Sequence, residues 1–259
     1  MSEPPRIQHI TSRDNPWLKD LRKLAQDNAA PRRQGRVWIE GDHLYRAAQS
    51  RGLKPQTVVY AESFHPQAPP AWSEGVEQVV VLPDALFDAI SNLESPARMG
   101  GVLKLPDAAA PQTGVATVIL DRVQDAGNVG SILRSAAAFG FRQVLALKGT
   151  AALWSPKVLR AGMGAHFTLA LLEGLSEPEL DGLDMPLVVT SSHRGEWLHK
   201  VALPDPCAWV LGHEGQGVSP GLEARASLSV RIAQPGGEES LNVAAAAAIC
   251  LHASAAAKG

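Results

Sequence analysis

The sequence is poor in the features that mark several large classes of protein. Its 259 residues include only two cysteines, Cys207 and Cys250, which argues against a disulfide framework or a thiolate metal site and fits a reducing cytoplasm. The N-terminus lacks the charged and then apolar pattern of a signal peptide. The longest apolar run, Val243–Leu251, is too short to span a bilayer. We therefore expect a cytoplasmic protein with neither a membrane nor a metal as partner.

Sequence motifs of common enzyme classes are missing as well. No Gly-rich loop is followed by the Gly-Lys-Ser/Thr of a phosphate-binding Walker loop, and no dinucleotide-type G-x-G-x-x-G occurs. The G-x-S-x-G turn that carries the nucleophile of serine hydrolases is absent, and His, Cys and Glu do not recur at metal-ligand spacing. The composition, 45% hydrophobic and 19% charged, is that of an ordinary globular protein.

The net charge of −2 conceals an uneven distribution. Residues 1–60 contain 11 basic and 6 acidic residues, whereas the rest of the chain contains 13 basic and 20 acidic ones. A basic N-terminal part on a mildly acidic body suggests contact with a polyanion. On charge alone, a solvated helix surface explains the pattern equally well.

A Pro-rich segment without apolar periodicity, residues 106–114, predicts a linker between two domains. Residues 1–105 mix predicted helices and strands and form a small α/β domain. In residues 115–259 apolar strands alternate with helices, which favours a mostly parallel sheet covered on both faces. Here we predict helices over 129–139, around 155–163 and near 176–181, and a long closing helix over 240–257.

The most informative pattern is Asn128-x-Gly130-x-x-x-Arg134, which follows the first strand of the second domain. Backbone N–H groups at a helix start favour anions, and Asn128 stands where an N-cap residue would. Gly130 lies one turn from Arg134 on the same helix face, so we expect the glycine to leave room for the arginine to lean back toward the loop. Capping alone remains a sufficient reason for Asn128, and a surface salt bridge a possible reason for Arg134.

Two further Gly-rich loops follow predicted strands. The segment Gly212–Gly217 (GHEGQG) surrounds Glu214 with three glycines, which allow close approach of a ligand to the backbone. The segment 232–243 ends in Glu-Ser-Leu-Asn-Val, where Ser240 suits a helix cap and Asn242 is expected just inside the helix. Three such loops at strand ends predict a pocket for a small ligand beside a reactive centre.

In this order, the three segments resemble the signature motifs of the SpoU/TrmH family of RNA 2′-O-methyltransferases, within the SPOUT superfamily. The likeness covers residues 115–257, and residues 9–105 look like the ribosomal-protein-like RNA-binding domain that precedes it in ribosomal-RNA members. The resemblance implies a trefoil-knotted α/β domain, an obligate homodimer, and S-adenosylmethionine bound in the knot loops.

The resemblance also implies roles for individual residues. The catalytic group near the ribose would be Arg134, oriented by Asn128, with Glu214, Ser240 and Asn242 completing the centre. The cofactor would be contacted by Gly212, Ile232, Leu241 and Thr190. RNA would be bound through basic residues of the N-terminal domain, namely Arg13, Lys19, Arg22, Lys23, Arg32, Arg33 and Arg36.

Several alternatives stay open. The target could be transfer RNA rather than 23S-type ribosomal RNA, although the N-terminal domain favours the latter. The chain could also be a non-catalytic ribosome-assembly factor that binds RNA, or a nucleotide-dependent enzyme of general Rossmann type. The non-catalytic factor is opposed by the intact set of polar motif residues, and the Rossmann-type enzyme by the missing glycine fingerprint. Whether Arg134 accepts the proton or only stabilises negative charge is not decided by sequence.

Overall fold

The computed structural model describes residues 5–107, 110–191, 194–236 and 240–257. The chain divides into two compact units. The first consists of Met1–Asp107 together with Trp154–Leu159, and the second of Ala108–Leu153 and Arg160–Gly259. Within the described residues, no helix is long and apolar enough to cross a membrane, and no group of three or more His, Cys, Asp or Glu side chains could hold a metal ion.

The first unit is built on a five-stranded sheet with the order β1-β4-β3-β5-β2. Strands β1, β3 and β4 run parallel, whereas β5 is antiparallel to both β2 and β3. The strands are β1 (Arg6–His9), β2 (Arg36–Glu40), β3 (Thr57–Ala61), β4 (Gln78–Leu82) and β5 (Met99–Lys104). The β-branched residues of β3 and β4 are almost entirely buried, as expected of central strands.

Helices of the first unit pack apolar side chains on this sheet. They are α1 (Pro16–Gln26), α2 (Ala30–Gln34), α3 (Asp42–Gln49) and α4 (Asp84–Asp88). Helix α1 begins at Asn15, whose side chain accepts hydrogen bonds from the N–H groups of Trp17 and Leu18. Its leucines recur at helical spacing, and Leu18, Leu21 and Leu24 are all buried in the core. The opposite face of α1 is therefore left to its charged residues.

The second unit contains a seven-stranded sheet with the order β10-β12-β9-β11-β6-β7-β8, in which every described pairing is parallel. This confirms the predicted mostly parallel α/β fold. Its strands are β6 (Thr117–Leu120), β7 (Gln143–Leu147), β8 (Ala170–Leu175), β9 (Leu187–Thr190), β10 (Glu196–Trp197), β11 (Ala208–Leu211) and β12 (Leu228–Arg231). Its helices are α5 (Ala126–Ala138), α6 (Pro156–Gly162, which begins in the segment assigned to the first unit), α7 (Pro220–Arg225) and α8 (Val243–Ala256).

Strand order places the three Gly-containing loops at one edge of the sheet. The chain leaves β6 toward β7 on one side, while β11 pairs with β6 on the other, so the direction of winding reverses between them. Leu120 and Leu211, the last residues of these two strands, are register partners. Thr190 is likewise paired with Val230 near the end of β12. Open parallel sheets bind ligands at such a switch point, beyond the carboxyl ends of the strands.

Candidate active site

Helix α5 begins three residues earlier than predicted, and this changes the role of Asn128. The N-cap residue is Asp125, whose carboxylate accepts the N–H of Asn128 at 2.8 Å. Asn128 therefore lies inside the first turn rather than at the cap, and the prediction that it caps the helix is wrong. Because Asp125 supplies the cap, both polar atoms of the Asn128 side chain are free to bind the other loops.

Asn128 and Asn242 form a hydrogen-bond chain that ends on Glu214. The Asn128 amide N–H donates to the Glu214 carboxylate at 3.1 Å. The Asn128 carbonyl accepts from the amide of Asn242 at 2.9 Å. One residue from each of the three predicted motifs thus meets in a single chain of contacts, here called the amide chain (Asn242–Asn128–Glu214).

Asn242 is the N-cap of the closing helix. Its side-chain carbonyl accepts the N–H groups of Ala244 at 2.9 Å and Ala245 at 3.3 Å. The expectation that Ser240 caps this helix and that Asn242 lies inside it is therefore wrong, because α8 begins only at Val243. Capping consumes the carbonyl of Asn242, so its N–H₂ group is the part directed to Asn128, and this fixes the orientation of both amides.

Glu214 is held as a carboxylate by four hydrogen-bond donors. The backbone N–H groups of Gln124 and Asp125 reach it at 3.2 and 3.1 Å. Burial is the largest single influence and would raise its pKa. The bonds from the N–H groups of Asp125, Glu214 itself and Gln124, and from the Asn128 amide, together outweigh burial and lower the pKa of Glu214 below its ordinary value. The residue is thus a fixed anion near neutral pH, not a proton donor.

Gly130 is explained by helix packing rather than by room for Arg134. A Cβ atom at this position would lie 2.4 Å from the Cβ of Ala161 and 2.8 Å from the backbone N of Gly162. Only glycine allows α5 to approach the end of α6 so closely. The expected reason for the glycine is therefore wrong, although the glycine itself is required.

Arg134 is exposed on α5, and across the ranges that the structure describes it makes neither an ion pair nor a side-chain hydrogen bond. A surface salt bridge, the alternative role for this residue, does not form there. The guanidinium is thus available for an external anion, to which it can present two parallel N–H groups.

A cleft of about 570 Å³ opens beside the amide chain and is lined by all four predicted cofactor-binding residues, Thr190, Gly212, Ile232 and Leu241. Its volume is within the roughly 300–1,000 Å³ that small-molecule sites occupy. Glu214, Ser240 and Asn242 also line it, whereas Asn128 and Arg134 are not among its lining residues. Glu239 of the third motif lies outside the described residues.

The walls of the cleft fit S-adenosylmethionine, the cofactor that the resemblance implies. A Cβ atom on Gly212 would lie 2.2 Å from the backbone carbon of Gly217, so the loop can close on itself only with glycine there. Gln234 also lines the cleft, and its buried side-chain carbonyl has no hydrogen-bond partner among the described residues. A buried acceptor without a partner is costly, and the cofactor carries amino and ammonium N–H donors that could satisfy it.

The seven predicted RNA-binding residues of the first unit fall into two groups. Three of them form ion pairs with carboxylates: Lys19 with Asp14, Arg33 with Asp27, and Arg36 with Asp20. The other four have no carboxylate partner among the residues whose placement is described, and these are Arg13, Arg22, Lys23 and Arg32. Since α1 carries Lys19, Arg22 and Lys23 at spacings of three and four residues, they share one face of the helix.

Four residues of the site were not predicted from the sequence. Asp121 and Arg122 directly follow β6, Gln216 lies in the glycine loop, and Gln234 follows Ile232 by two positions. Asp121 could have been identified from the sequence, because an acidic residue directly follows a strand whose residues are nearly all apolar. The structure shows that it is buried. The other three are ordinary loop residues by sequence, and only their contacts single them out.

Both parts of the chain match known families. Residues 116–252 match the SpoU rRNA Methylase family, and residues 15–101 match the MRM3-like substrate binding domain. The chain is 29% identical over 250 residues to the 23S rRNA (guanosine(2553)-2'-O)-methyltransferase RlmP of Bacillus subtilis, with 95% of this chain and 98% of that protein covered.

Solved structures agree with these matches over nearly the whole chain. An RNA methyltransferase of the TrmH family from Porphyromonas gingivalis is 30% identical with a TM-score of 0.80, and the alignment covers 93% of this chain and 98% of the other. An AdoMet-bound rRNA methyltransferase from Sinorhizobium meliloti is 27% identical with a TM-score of 0.80, over 95% of this chain and 97% of the other.

Proposed function

Because the chain belongs to the SpoU rRNA methylase family, we propose that it methylates a ribose 2′-hydroxyl of structured ribosomal RNA, with S-adenosylmethionine as the methyl donor. The observation that carries the proposal is the amide chain, which joins Glu214, Asn128 and Asn242 beside the cleft. A site held this way before the substrate binds can align two reactants without further ordering.

Arg134 is the residue we assign to the ribose. S-adenosylmethionine in the cleft would supply a methyl group, whose bond to sulfur would break as the ribose oxygen bonds to the methyl carbon, with the sulfur leaving as a neutral thioether. The attacking oxygen would gain negative charge as its proton passes to the neighbouring phosphate or to solvent, and a guanidinium stabilises such charge. An arginine is a poor proton acceptor because its pKa lies above about 12. We therefore assign electrostatic stabilisation to Arg134, and binding of the neighbouring phosphate by the same group.

Each remaining polar residue has a supporting role in this proposal. Glu214 holds the segment that leads into α5 through the Gln124 and Asp125 N–H groups. Asn128 and Asn242 hold the loops against each other, and Ser240 presents a hydroxyl to the cleft. Cofactor contacts come from Gly212, Ile232, Leu241 and Thr190, largely through backbone groups.

RNA affinity comes mainly from the first unit. Its basic side chains that lack a carboxylate partner among the described residues can neutralise phosphates without first losing such a partner, which favours Arg13, Arg22, Lys23 and Arg32 over the paired Lys19, Arg33 and Arg36. Structured RNA is read largely by shape and by phosphate and 2′-hydroxyl contacts. The match of residues 15–101 to a substrate binding domain supports this division, with domains at 1–105 and 115–259 joined by residues 106–114.

A ribosomal target and a homodimer complete the proposal. The RlmP relative, aligned over almost its full length, is named for 23S rRNA, and this favours ribosomal over transfer RNA. Helix α8 leaves Ile249 41% exposed among small alanines, a surface suited to close packing against a second copy. The trefoil knot and the cytoplasmic location that the sequence predicts belong to the same proposal.

The test combines cofactor binding with methylation mapping. We expect calorimetry to detect S-adenosylmethionine binding, and ribose methylation mapped in total RNA with and without this gene to differ at a ribosomal position. Arg134→Ala should abolish methyl transfer while cofactor affinity is retained, and Arg134→Lys should recover part of the activity. A difference only in transfer RNA would overturn the ribosomal assignment, and equal loss of cofactor affinity in Arg134→Ala would place this residue in the cofactor site.

A further inference from the structure

Arg122, two positions beyond the last residue of strand β6, adopts a backbone conformation that residues with a Cβ atom rarely take. Arg122 has a φ of +60°, in the left-handed region where glycine or asparagine is the usual residue. A non-glycine residue persists there only when the surrounding contacts determine its conformation, and such residues concentrate at functional sites. The contacts of the Arg122 side chain should therefore account for its left-handed conformation.

The Arg122 guanidinium joins a buried carboxylate to the glycine loop. Its Nε and Nη2 donate to Asp121 at 2.9 and 3.3 Å, and Asp121 is only 2% exposed. Its Nη1 donates to the side-chain carbonyl of Gln216 at 2.9 Å. Asp121 in turn accepts the backbone N–H of Ser219 at 2.6 Å. One guanidinium and one carboxylate thus hold the tip and the C-terminal end of the loop.

The backbone of Arg122 is held independently of these side-chain bonds. Its N–H donates to the hydroxyl of Thr150 at 3.1 Å, and that hydroxyl donates to the carbonyl of Leu120 at 2.9 Å. Hydrogen bonding to the neighbouring carboxylate raises the pKa of Arg122, so its charge is constant at all working pH values. The left-handed conformation of Arg122 therefore directs its guanidinium, a permanent cation, to the carboxylate of Asp121.

The loop has two separate attachments. Glu214 binds it to the residues directly before α5, and Gln216, two residues further on, binds it to Arg122. Between them lies Gly215, whose N–H, like that of Gln216, donates to the ring of His213. Because the loop lines the cleft on this side, its conformation determines how well the cleft fits a ligand.

We propose that Arg122 is a positioning residue for the cofactor, which it serves by holding the loop 212–218 through Gln216 and Asp121 in the conformation that binds S-adenosylmethionine. This inference rests on the proposed function. It gives Arg122 no contact with the methyl group or the ribose, and it explains why a residue other than glycine occupies a left-handed position.

The test is a double-mutant cycle measured by cofactor binding. Arg122→Lys keeps a cation beside the buried Asp121 but cannot serve both partners, and Gln216→Leu replaces the acceptor of the Arg122 hydrogen bond by an apolar side chain of similar size. We expect each to raise the Kd for S-adenosylmethionine by about tenfold, since a hydrogen bond to a charged group is removed. The double variant should be no weaker than either single one, because both changes break the same hydrogen bond. The KM for the cofactor should rise while kcat at saturation falls much less.

Two controls separate positioning from folding. Arg142→Lys alters an exposed arginine of the same unit and should leave the Kd unchanged. The thermal midpoint of the cofactor-free Gln216→Leu variant should stay at the wild-type value, because Asp121 keeps its ion pair. Wild-type affinity in Gln216→Leu, additive losses in the double variant, or a midpoint that falls in step with affinity would each overturn the inference. If the wild-type protein itself fails to bind the cofactor, the proposed function fails instead.

Discussion

At the scale of single residues, the carboxylate of Glu214 gives the site a defined pH dependence. Its folded-state pKa lies below the ordinary value of 4.5, so it stabilises the fold above that pH, and this contribution disappears as the pH falls through the folded value. The difference in free energy of unfolding between wild type and Glu214→Gln should therefore be larger at pH 7 than at pH 3, measured by urea denaturation. In an Asn128→Ala background, which lacks one donor to the carboxylate, the pH dependence should shrink. A difference that is constant with pH would contradict the assignment.

The tight approach at Gly130 predicts a stability loss that a surface glycine does not share. Gly130→Ala places a Cβ atom 2.4 Å from that of Ala161, and overpacking of this kind costs about 1–3 kcal/mol. Gly182→Ala is the matched control, because a Cβ atom there meets nothing within 4 Å. We expect chemical denaturation to show a clear loss of stability for the first variant and none for the second. Equal stability of both would mean that α6 moves freely away from α5.

The polar motif residues of the site were predictable, but the way they contact one another was not. Motif spacing brought Asn128, Glu214 and Asn242 into one prediction, and the structure places them in one hydrogen-bond chain. Their capping roles were assigned wrongly because Asp125 and Asn128 are equally good N-cap residues by type. Which of them caps depends on where α5 begins, and residue type alone does not decide this between two such residues three positions apart.

At the scale of secondary-structure elements, variants of Asn242 at the start of α8 distinguish its capping of the helix from its hydrogen bond to Asn128. Asn242→Asp keeps an acceptor for the N–H groups of Ala244 and Ala245, but it lacks the donor for Asn128 and places a second charge near Glu214. We expect the thermal midpoint to stay near wild type and methyl transfer to fall strongly. Asn242→Ala loses the cap as well, at about 1 kcal/mol, so its midpoint should fall too. If the Asp variant is fully active, the bond to Asn128 has no role in the reaction.

The central strands of the second unit were predicted, whereas two short edge strands were not, for a physical reason. Strands β6, β7 and β11 are buried on both faces and read as nearly continuous apolar runs. The edge strands β1 and β10 were not predicted, since one has four residues, mostly exposed, and the other only two. The segment predicted as a helix near 176–181 is a 3-10 helix at Glu177–Leu183, and the short helices α2 and α7 were missed because five or six residues carry too little periodicity.

At the scale of the whole chain, alternation of strands and helices was enough to predict a parallel sheet, but it could not give the strand order. The site depends on that order, because β11 must lie beside β6 for Glu214 to reach the start of α5. Such pairing joins segments that are distant in sequence and leaves no local signal. The glycine-rich loops marked the carboxyl ends of the strands. The rule that open parallel sheets bind ligands beyond these ends then predicted where the site lies.

The assignment of RNA binding to basic residues of the first unit predicts how RNA affinity depends on salt concentration. Each basic side chain that binds a phosphate releases counterions, so the slope of log affinity against log salt becomes shallower by roughly 0.7–0.9 for each phosphate that is no longer neutralised. Removing Arg22, Lys23 and Arg32 by alanine substitution in the full chain should therefore flatten the slope by about 2. Filter binding to a ribosomal RNA fragment at several salt concentrations measures this.

The control for this experiment uses the paired cations of the same unit. Arg33→Ala and Arg36→Ala remove side chains that already neutralise Asp27 and Asp20. Exposed ion pairs contribute only about 0–1 kcal/mol to stability, so these variants should fold, and each frees a carboxylate while removing a cation. We expect them to flatten the salt slope less per residue than Arg22→Ala or Lys23→Ala, with cofactor affinity unchanged in all four. Equal slopes for both groups would mean that RNA displaces the internal carboxylates, and the paired cations would then belong to the binding surface.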